Sequence, residues 1–154
     1  MIFDVGVPYS LAETTSGAAK LLSCELEQAH DELLQAMAEM AAVTQSDVPV
    51  RSAYTRARWR LSVASKRRRA AWEKAKKHLI THCGQATLET LNRLAGSNEE
   101  LRRASTAHIA RWSAESIDAD WKGYCEASRA IRWKMMSIVR HERRDILPLL
   151  NQLP

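Results

Sequence analysis

The chemically most suggestive spacing belongs to His78 and His82, which lie four residues apart and precede Cys83. On a helix this spacing places both imidazoles on one face, an arrangement that suits a metal ion. No glutamate lies between them, so the motif of zinc proteases is absent. No second pair of this kind occurs elsewhere, and the other histidines are scattered singly. We therefore predict no metal site and no cofactor.

Motifs of catalysis are also missing. The sequence has no glycine-rich phosphate loop, no GxSxG and no cysteine–histidine pair with an orienting acid, which predicts a protein that is not an enzyme. Cys24, Cys83 and Cys125 are widely spaced and form no CxxC, which favours a reduced, cytoplasmic protein. No run approaches the roughly 18–20 apolar residues that cross a bilayer, so we expect no membrane partner.

Basic side chains are concentrated in one stretch, between Arg51 and Lys77. Helical spacing gathers most of them into a stripe, and interleaved aromatic residues could stack on bases or simply pack. The candidate partner-binding residues are Arg56, Arg60, Lys66, Arg67, Arg68, Arg69, Trp72, Lys74, Lys76 and Lys77.

The net charge of +5 conceals three unequal blocks. Residues 1–50 carry a net charge of −7, residues 51–77 carry +10, and residues 78–154 carry +2. A cationic helix can bind phosphates, or an acidic neighbouring helix can neutralise it. Because the acidic block precedes the basic one, we expect internal pairing, with Arg67, Arg68 and Arg69 left to meet an outside partner.

The acidic block contains an apolar seam of heptad spacing. Ser10 and Glu13 fit a capping box at the start of a helix, and Pro49 predicts its end near Ser46. The seam advances in alternating steps of four and three. It consists of Leu22, Leu26, Ala29, Leu33, Ala36, Met40 and Val43. Leu22, Leu26, Leu33 and Met40 are the candidates for a helix seam or a dimer contact.

The basic block has a matching seam rich in alanine, which would let a neighbouring helix approach closely. It consists of Tyr54, Ala57, Leu61, Ala64, Arg68, Ala71 and Ala75. Trp59 and Trp72 lie off this seam and could pack against a second layer or a second subunit.

The second half of the chain predicts further helices. Gly96 resembles a C-cap, and Ser97 with Glu100 forms a second capping box, so a helix should start there. Residues 97–147 form one helix or two; we favour a break near Asp118–Gly123, with Asp120 as a possible N-cap.

These elements predict an all-α, four-helix, bundle-like fold in a single domain, residues 1–154. A long antiparallel hairpin should span residues 10–95, and a shorter helical pair residues 97–147. Because such a hairpin would outreach the shorter pair, we expect a homodimer to cover its exposed seam.

In composition and residue pattern the sequence resembles small helical accessory proteins of phages and mobile elements, including inhibitors of the anti-CRISPR type. The features that carry this resemblance are an acidic hairpin arm, a basic helix and a later helix of spaced small, aliphatic and arginine residues. They include Tyr54, Ala57, Arg68, Arg69 and Ala70, followed by Ala127, Ala130, Ile131, Arg132 and Arg140. The resemblance implies a phage or plasmid context, which includes recombination accessories that touch nucleic acid as well as inhibitors of host defence. The partner we expect is a protein of the host or of its defence machinery.

The sequence thus predicts a non-enzymatic, dimeric protein that inhibits or scaffolds a larger machine, such as a CRISPR–Cas complex, by protein–protein contact. The alternative is a nucleic-acid-binding accessory protein that contacts phosphates through residues 51–77.

Overall fold

The computed structural model describes the backbone of residues 11–153 and the side chains of residues 17–153. This part of the chain is helical and has no strand, which confirms the all-α prediction. The helices are α1 (Leu11–Val43), α2 (Arg51–His82), α3 (Gln85–Arg111), α4 (Ala114–Ala119), α5 (Trp121–Asp145) and α6 (Leu147–Gln152). The capping box of Ser10 and Glu13 lies outside the described side chains.

Four long helices form the bundle. α1 packs mainly on α2 and also contacts α5 and α6, while α3 packs on α5 and, less closely, on α2. This pattern places the long helices in the order α1, α2, α3, α5 around a shared core. None of the described helices is both long enough and apolar enough to span a bilayer.

The two predicted seams form the α1–α2 interface. Every residue of the α2 seam is buried, Arg68 included, and the five central residues of the α1 seam are buried as well. Leu22 and Val43, at the ends of the α1 seam, are partly buried. Leu26, Leu33 and Met40 lie in the core of their own chain, so in this fold they face neighbouring helices rather than the surface that a second subunit could meet.

The predicted boundary at Gly96 is wrong. α3 runs without interruption across Gly96, and the Ser97 hydroxyl donates to the Arg93 carbonyl within the helix instead of capping a new one. Burial of Leu94, Asn98 and Leu101 on one face holds the helix together and outweighs the low helix propensity of glycine.

The residue ranges predicted for the hairpin and for the helical pair are therefore wrong. The α1–α2 hairpin ends at His82, and residues 85–95 belong to α3 rather than to a hairpin of residues 10–95. With 27 residues, α3 covers about 40 Å, so the pair after the hairpin is not short. The predicted break near Asp120 is confirmed, because its carboxylate caps α5 by accepting from the Gly123 amide.

Candidate functional site: a buried polar layer and an adjoining cavity

Each long helix contributes one polar side chain to the middle of the bundle. These side chains are His30 from α1, Arg68 from α2, Asn98 from α3 and Glu142 from α5, and none is more than 8% exposed. We call them the polar layer. In α1, α2 and α3 the layer separates two apolar clusters, one containing Leu33 and Leu61, the other Leu26 and Leu79. In α5, Glu142 follows residues of the first cluster, and the second cluster continues just beyond this helix.

Arg68 is the centre of this layer. Its Nη1 donates to Glu142 Oε1 at 2.6 Å and to Asn98 Oδ1 at 2.9 Å. Asn98 in turn donates through Nδ2 to the Leu94 carbonyl at 3.0 Å. His30 Nε2 lies 3.5 Å from Glu142 Oε1. The Glu142 carboxylate is thus the counter-ion of the arginine inside the bundle, and the Asn98 amide oxygen is a second hydrogen-bond acceptor.

A cavity of about 320 Å³ adjoins the layer between α2, α3 and α5. Arg68 and Asn98 contribute to its wall, together with Leu61, Leu101 and Met135. α2 and α3 pack against each other less extensively than α1 and α2 do, which leaves space between them. Serines at positions 62 and 65 of α2 and 105 of α3 line this wider space.

An aromatic cluster closes one end of the bundle around Tyr124, which contacts Tyr54, Trp112, Trp121 and His108. Tyr54 donates to Asp118 Oδ1 at 2.8 Å, and Arg51 donates to Asp118 Oδ2 through Nε at 3.1 Å. The Arg51 and Tyr54 hydrogen bonds hold the pKa of Asp118 below its usual value. Burial raises the pKa of Tyr124.

The cations predicted to bind a partner divide into several groups. Four of them pair with glutamates of α1: Arg60 with Glu39 at 2.9 Å, Arg67 with Glu32 at 3.2 Å, Lys74 with Glu25 at 2.8 Å, and Arg56 with Glu39 at 3.9 Å. The first three pairs repeat every seven residues in opposite directions, which fixes the antiparallel register. We call those three pairs the ion-pair ladder.

The remaining predicted residues have different surroundings. Lys76 pairs with Glu73 of its own helix. Lys66, Arg69 and Lys77 form no ion pair with a described residue. The internal pairing expected from the charge blocks is therefore present. It includes Arg67, and it leaves Lys66, Arg69 and Lys77 without an ion pair to a described residue.

Two predicted contact residues are wrong, because they are inside the protein. Trp72 is 0% exposed and packs in the apolar cluster with Leu26 and Leu79. Arg68 is 4% exposed and is held by Glu142. Neither side chain reaches a partner in this fold, because both point to the side of α2 that faces the bundle.

His78 and His82 lie next to each other on α2, as their spacing predicted. The rings of His78 and His82 lie 4.5 Å apart between centroids, and burial, with a smaller effect of His82, lowers the pKa of His78. Within residues 17–153 no group of three or more histidine, cysteine, aspartate or glutamate residues is placed to hold a metal.

His30, Asn98 and Glu142 escaped the sequence prediction, although their spacing carried a signal. The buried positions of α5 advance as Tyr124, Ser128, Ile131, Met135, Ile138 and Glu142, in alternating steps of four and three. A glutamate at such a position, opposite an arginine in the α2 seam, indicates a buried ion pair.

Comparison of the chain with known protein families, with curated proteins and with solved structures finds no match.

Proposed function

We propose that the chain is a non-enzymatic binding protein that inhibits or scaffolds a larger machine by contact through the outer face of α2. This face consists of Trp59, Val63, Lys66 and Ala70, whose spacing places them on one side of the helix. A nucleic-acid-processing machine of the CRISPR–Cas kind is the partner class that the sequence resemblance suggests. A cytoplasmic location is part of the same proposal.

The observation that carries this proposal is the exposure of Trp59. Its side chain is 66% exposed in the first third of α2, and Arg56 and Arg60 are its neighbours on the helix surface. Tryptophan and arginine dominate the binding energy of protein interfaces. The face matches a partner with an apolar recess for the indole and an acidic border.

Affinity capture from the native host tests this with three baits: the wild type, Trp59→Ala and Trp133→Ala. Trp133 lies on α5 and is 67% exposed, so its substitution removes an equally exposed indole from another face. Proteins lost with Trp59→Ala and kept with Trp133→Ala should then bind the purified wild type more tightly than the purified Trp59→Ala variant. A capture profile that Trp59→Ala leaves unchanged contradicts the proposal.

Nucleic acid is the second candidate, favoured by a patch of cations between α2 and α3. A hydrogen bond from Arg102 lowers the pKa of Glu99, and the nearby charges of Arg103 and Arg69 lower it further. Arg69 and Arg103 therefore both lie near Glu99, and Lys66 lies one turn from Arg69. If three phosphates are contacted, affinity for duplex DNA should fall about forty-fold between 50 and 200 mM salt. Anisotropy of a labelled duplex, with Arg103→Glu as the variant, measures this dependence.

The homodimer also stays a proposal, although the reason from the sequence no longer holds. The α1 seam that a second subunit was expected to cover is buried by the chain's own helices. Light scattering of the purified protein gives the oligomeric state directly, and Trp59→Ala shows whether the outer face of α2 serves self-association instead of a foreign partner.

A further inference from the structure

The cavity beside the polar layer has an apolar interior. Its aliphatic and thioether side chains come from all four long helices and include Leu33, Met40, Leu61, Leu101, Ile131 and Met135. Liquid water occupies about 30 Å³ per molecule, so a space of 320 Å³ accommodates an organic molecule of about ten non-hydrogen atoms. Ligand sites typically combine such walls with a few convergent polar groups.

Two buried polar atoms on the α2 side of this cavity lack a partner. Ser65 Oγ and Arg68 Nε are both inaccessible and form no hydrogen bond with a described residue. A buried donor without an acceptor destabilises the folded protein. Because Glu142 and Asn98 already occupy Arg68 Nη1, the Nε–H is left as a donor toward an acceptor other than these two.

Positive charge surrounds the mouth of the cavity. Lys66, Arg69 and Arg102 line it and remain accessible to solvent. The described lining residues include no aspartate or glutamate; the carboxylate beside the mouth is that of Glu99, which binds Arg102. The mouth therefore has a net positive charge, which attracts an anionic group.

We propose that this cavity binds a small amphipathic carboxylate. A shift of the Ser65 and Arg68 side chains toward the cavity lets both donate to the carboxylate, which lies among the charges of the mouth, while its hydrocarbon body fills the space toward Ile131 and Met135. The site faces the inside of the bundle, whereas Trp59 lies on the opposite side of α2. Lys66 belongs both to the mouth and to the outer face of α2, so the experiments on the two sites change other residues.

Isothermal titration calorimetry with three probes tests the ligand class. Decanoate, used below its micelle concentration, has both head and chain; decyltrimethylammonium has the chain with the opposite charge, and acetate has the head alone. We expect saturable binding of decanoate at one site per chain and no binding of the other two at millimolar concentration. Equal binding of decanoate and decyltrimethylammonium, or no binding of decanoate, overturns the proposal.

Two matched double variants test the position of the site. Arg69→Glu with Arg102→Glu reverses two charges at the mouth, and Lys77→Glu with Lys134→Glu makes the same change in net charge at exposed residues outside it. The first should weaken decanoate binding at least about tenfold and the second much less. Equal weakening by both overturns the assignment.

Filling the cavity gives a readout that does not depend on charge. Ser105→Phe places a ring in the space and should abolish decanoate binding in a protein whose circular dichroism is that of the wild type. If this variant does not fold, amide shifts in the wild type replace it. Shifts upon addition of decanoate should then concentrate at residues 62–69 and 98–106, and shifts confined to other regions overturn the proposal.

Discussion

The buried ion pair of Arg68 and Glu142 carries two opposed energies. Removing both charges from water costs several kcal/mol per ion, and their attraction in the low-dielectric interior offsets this cost when the hydrogen bonds are complete. Here Asn98 supplies an additional acceptor for Arg68 Nη1, but Arg68 Nε has no hydrogen-bond partner among the described residues. The pair therefore determines which arrangement of the helices is acceptable more than it adds to net stability.

Removing one partner of this pair should be costly. We expect Glu142→Ala to lower the free energy of unfolding by about 3–5 kcal/mol, because Arg68 would keep a buried charge without a counter-ion. Arg67→Ala breaks the pair with Glu32, in which both side chains are partly exposed, and should cost no more than about 1 kcal/mol. Urea unfolding, followed by circular dichroism, measures both values.

A double variant separates the loss of the pair from the loss of packing. Arg68→Met with Glu142→Met replaces both charges by flexible apolar side chains and should be more stable than Glu142→Ala alone. A double variant that is less stable than Glu142→Ala would mean that the layer contributes net stability, contrary to this argument.

His108 links the aromatic cluster to pH. Burial, and to a smaller degree the charge of Arg58, lowers its pKa below the ordinary 6.5. The unfolded chain then binds a proton that the folded chain does not, so stability is lost as pH falls below about 6.5. We expect His108→Gln to flatten this part of the dependence of unfolding free energy on pH. An unchanged slope in the variant would assign the effect to other groups, such as His78, whose pKa is also lowered.

At the scale of elements, heptad spacing predicted which residues of α1 and α2 face the core, Arg68 among them, although Arg68 was also predicted, wrongly, to meet an outside partner. Spacing reports which side of a helix faces the core, and both seams have the alternating steps that two antiparallel helices need. It does not report which apolar or charged residues outside the seam meet a third helix. For Trp72 the sequence therefore left open a second layer, a second subunit or a partner contact, and the packing of α2 against α3 and α6 as well as α1 buries it.

Gly96 shows why a local signal for a helix end was wrong. Glycine followed by serine and glutamate is typical of a boundary between helices, yet none of the described glycines adopts a positive φ. The apolar positions on both sides of Gly96 keep one register, with Leu91, Leu94 and Leu101 on the buried face. Continuity of this face was the better guide to the helix.

The continuity of α3 leads to a prediction at this residue. Gly96 is exposed within the helix, and nothing lies within 4 Å of a Cβ added there. We expect Gly96→Ala to stabilise the protein by about 0.5–1 kcal/mol, because alanine has the higher helix propensity. A left-handed cap would give the opposite sign, since alanine in that conformation costs about 1–2 kcal/mol.

Gly84 supplies the matched control for this measurement. It precedes α3 in an extended conformation, with φ −84° and ψ −175°, and a Cβ there also meets nothing within 4 Å. As the N-cap residue it should not gain from alanine, which caps helices less well than glycine does. Thermal or urea unfolding measures the stability of both variants against the wild type. A Gly96→Ala variant less stable than the wild type would contradict the continuous helix.

For the whole molecule, the distribution of charge determines what a partner can meet. Formal charge predicted an acidic helix beside a basic one, and the ion-pair ladder shows the register of that contact. Sequence counting could not predict which cations stay open. That depends on α3, which packs on α2 and places Arg102 at the mouth of the cavity that Arg69 also lines.

The ladder itself should act as a shield against polyanions. Replacing Glu25, Glu32 and Glu39 by glutamine leaves the apolar seam intact and frees Arg60, Arg67 and Lys74 from their partners. Each of these partly exposed pairs is worth about 0–1 kcal/mol, so the variant should stay folded. We expect its affinity for duplex DNA at 50 mM salt to exceed that of the wild type at least about tenfold, with a steeper dependence on salt.

A second triple variant distinguishes the position of the charge from its amount. Glu27, Glu89 and Glu126 are exposed and form no ion pair with a described residue, so their replacement by glutamine changes the formal net charge equally. If the ladder shields the basic helix, this control should strengthen DNA binding much less, as measured by anisotropy of the same duplex. Equal gains in both variants would show that α1 only lowers the overall charge, and the open cations around Arg69 would then account for any nucleic-acid binding.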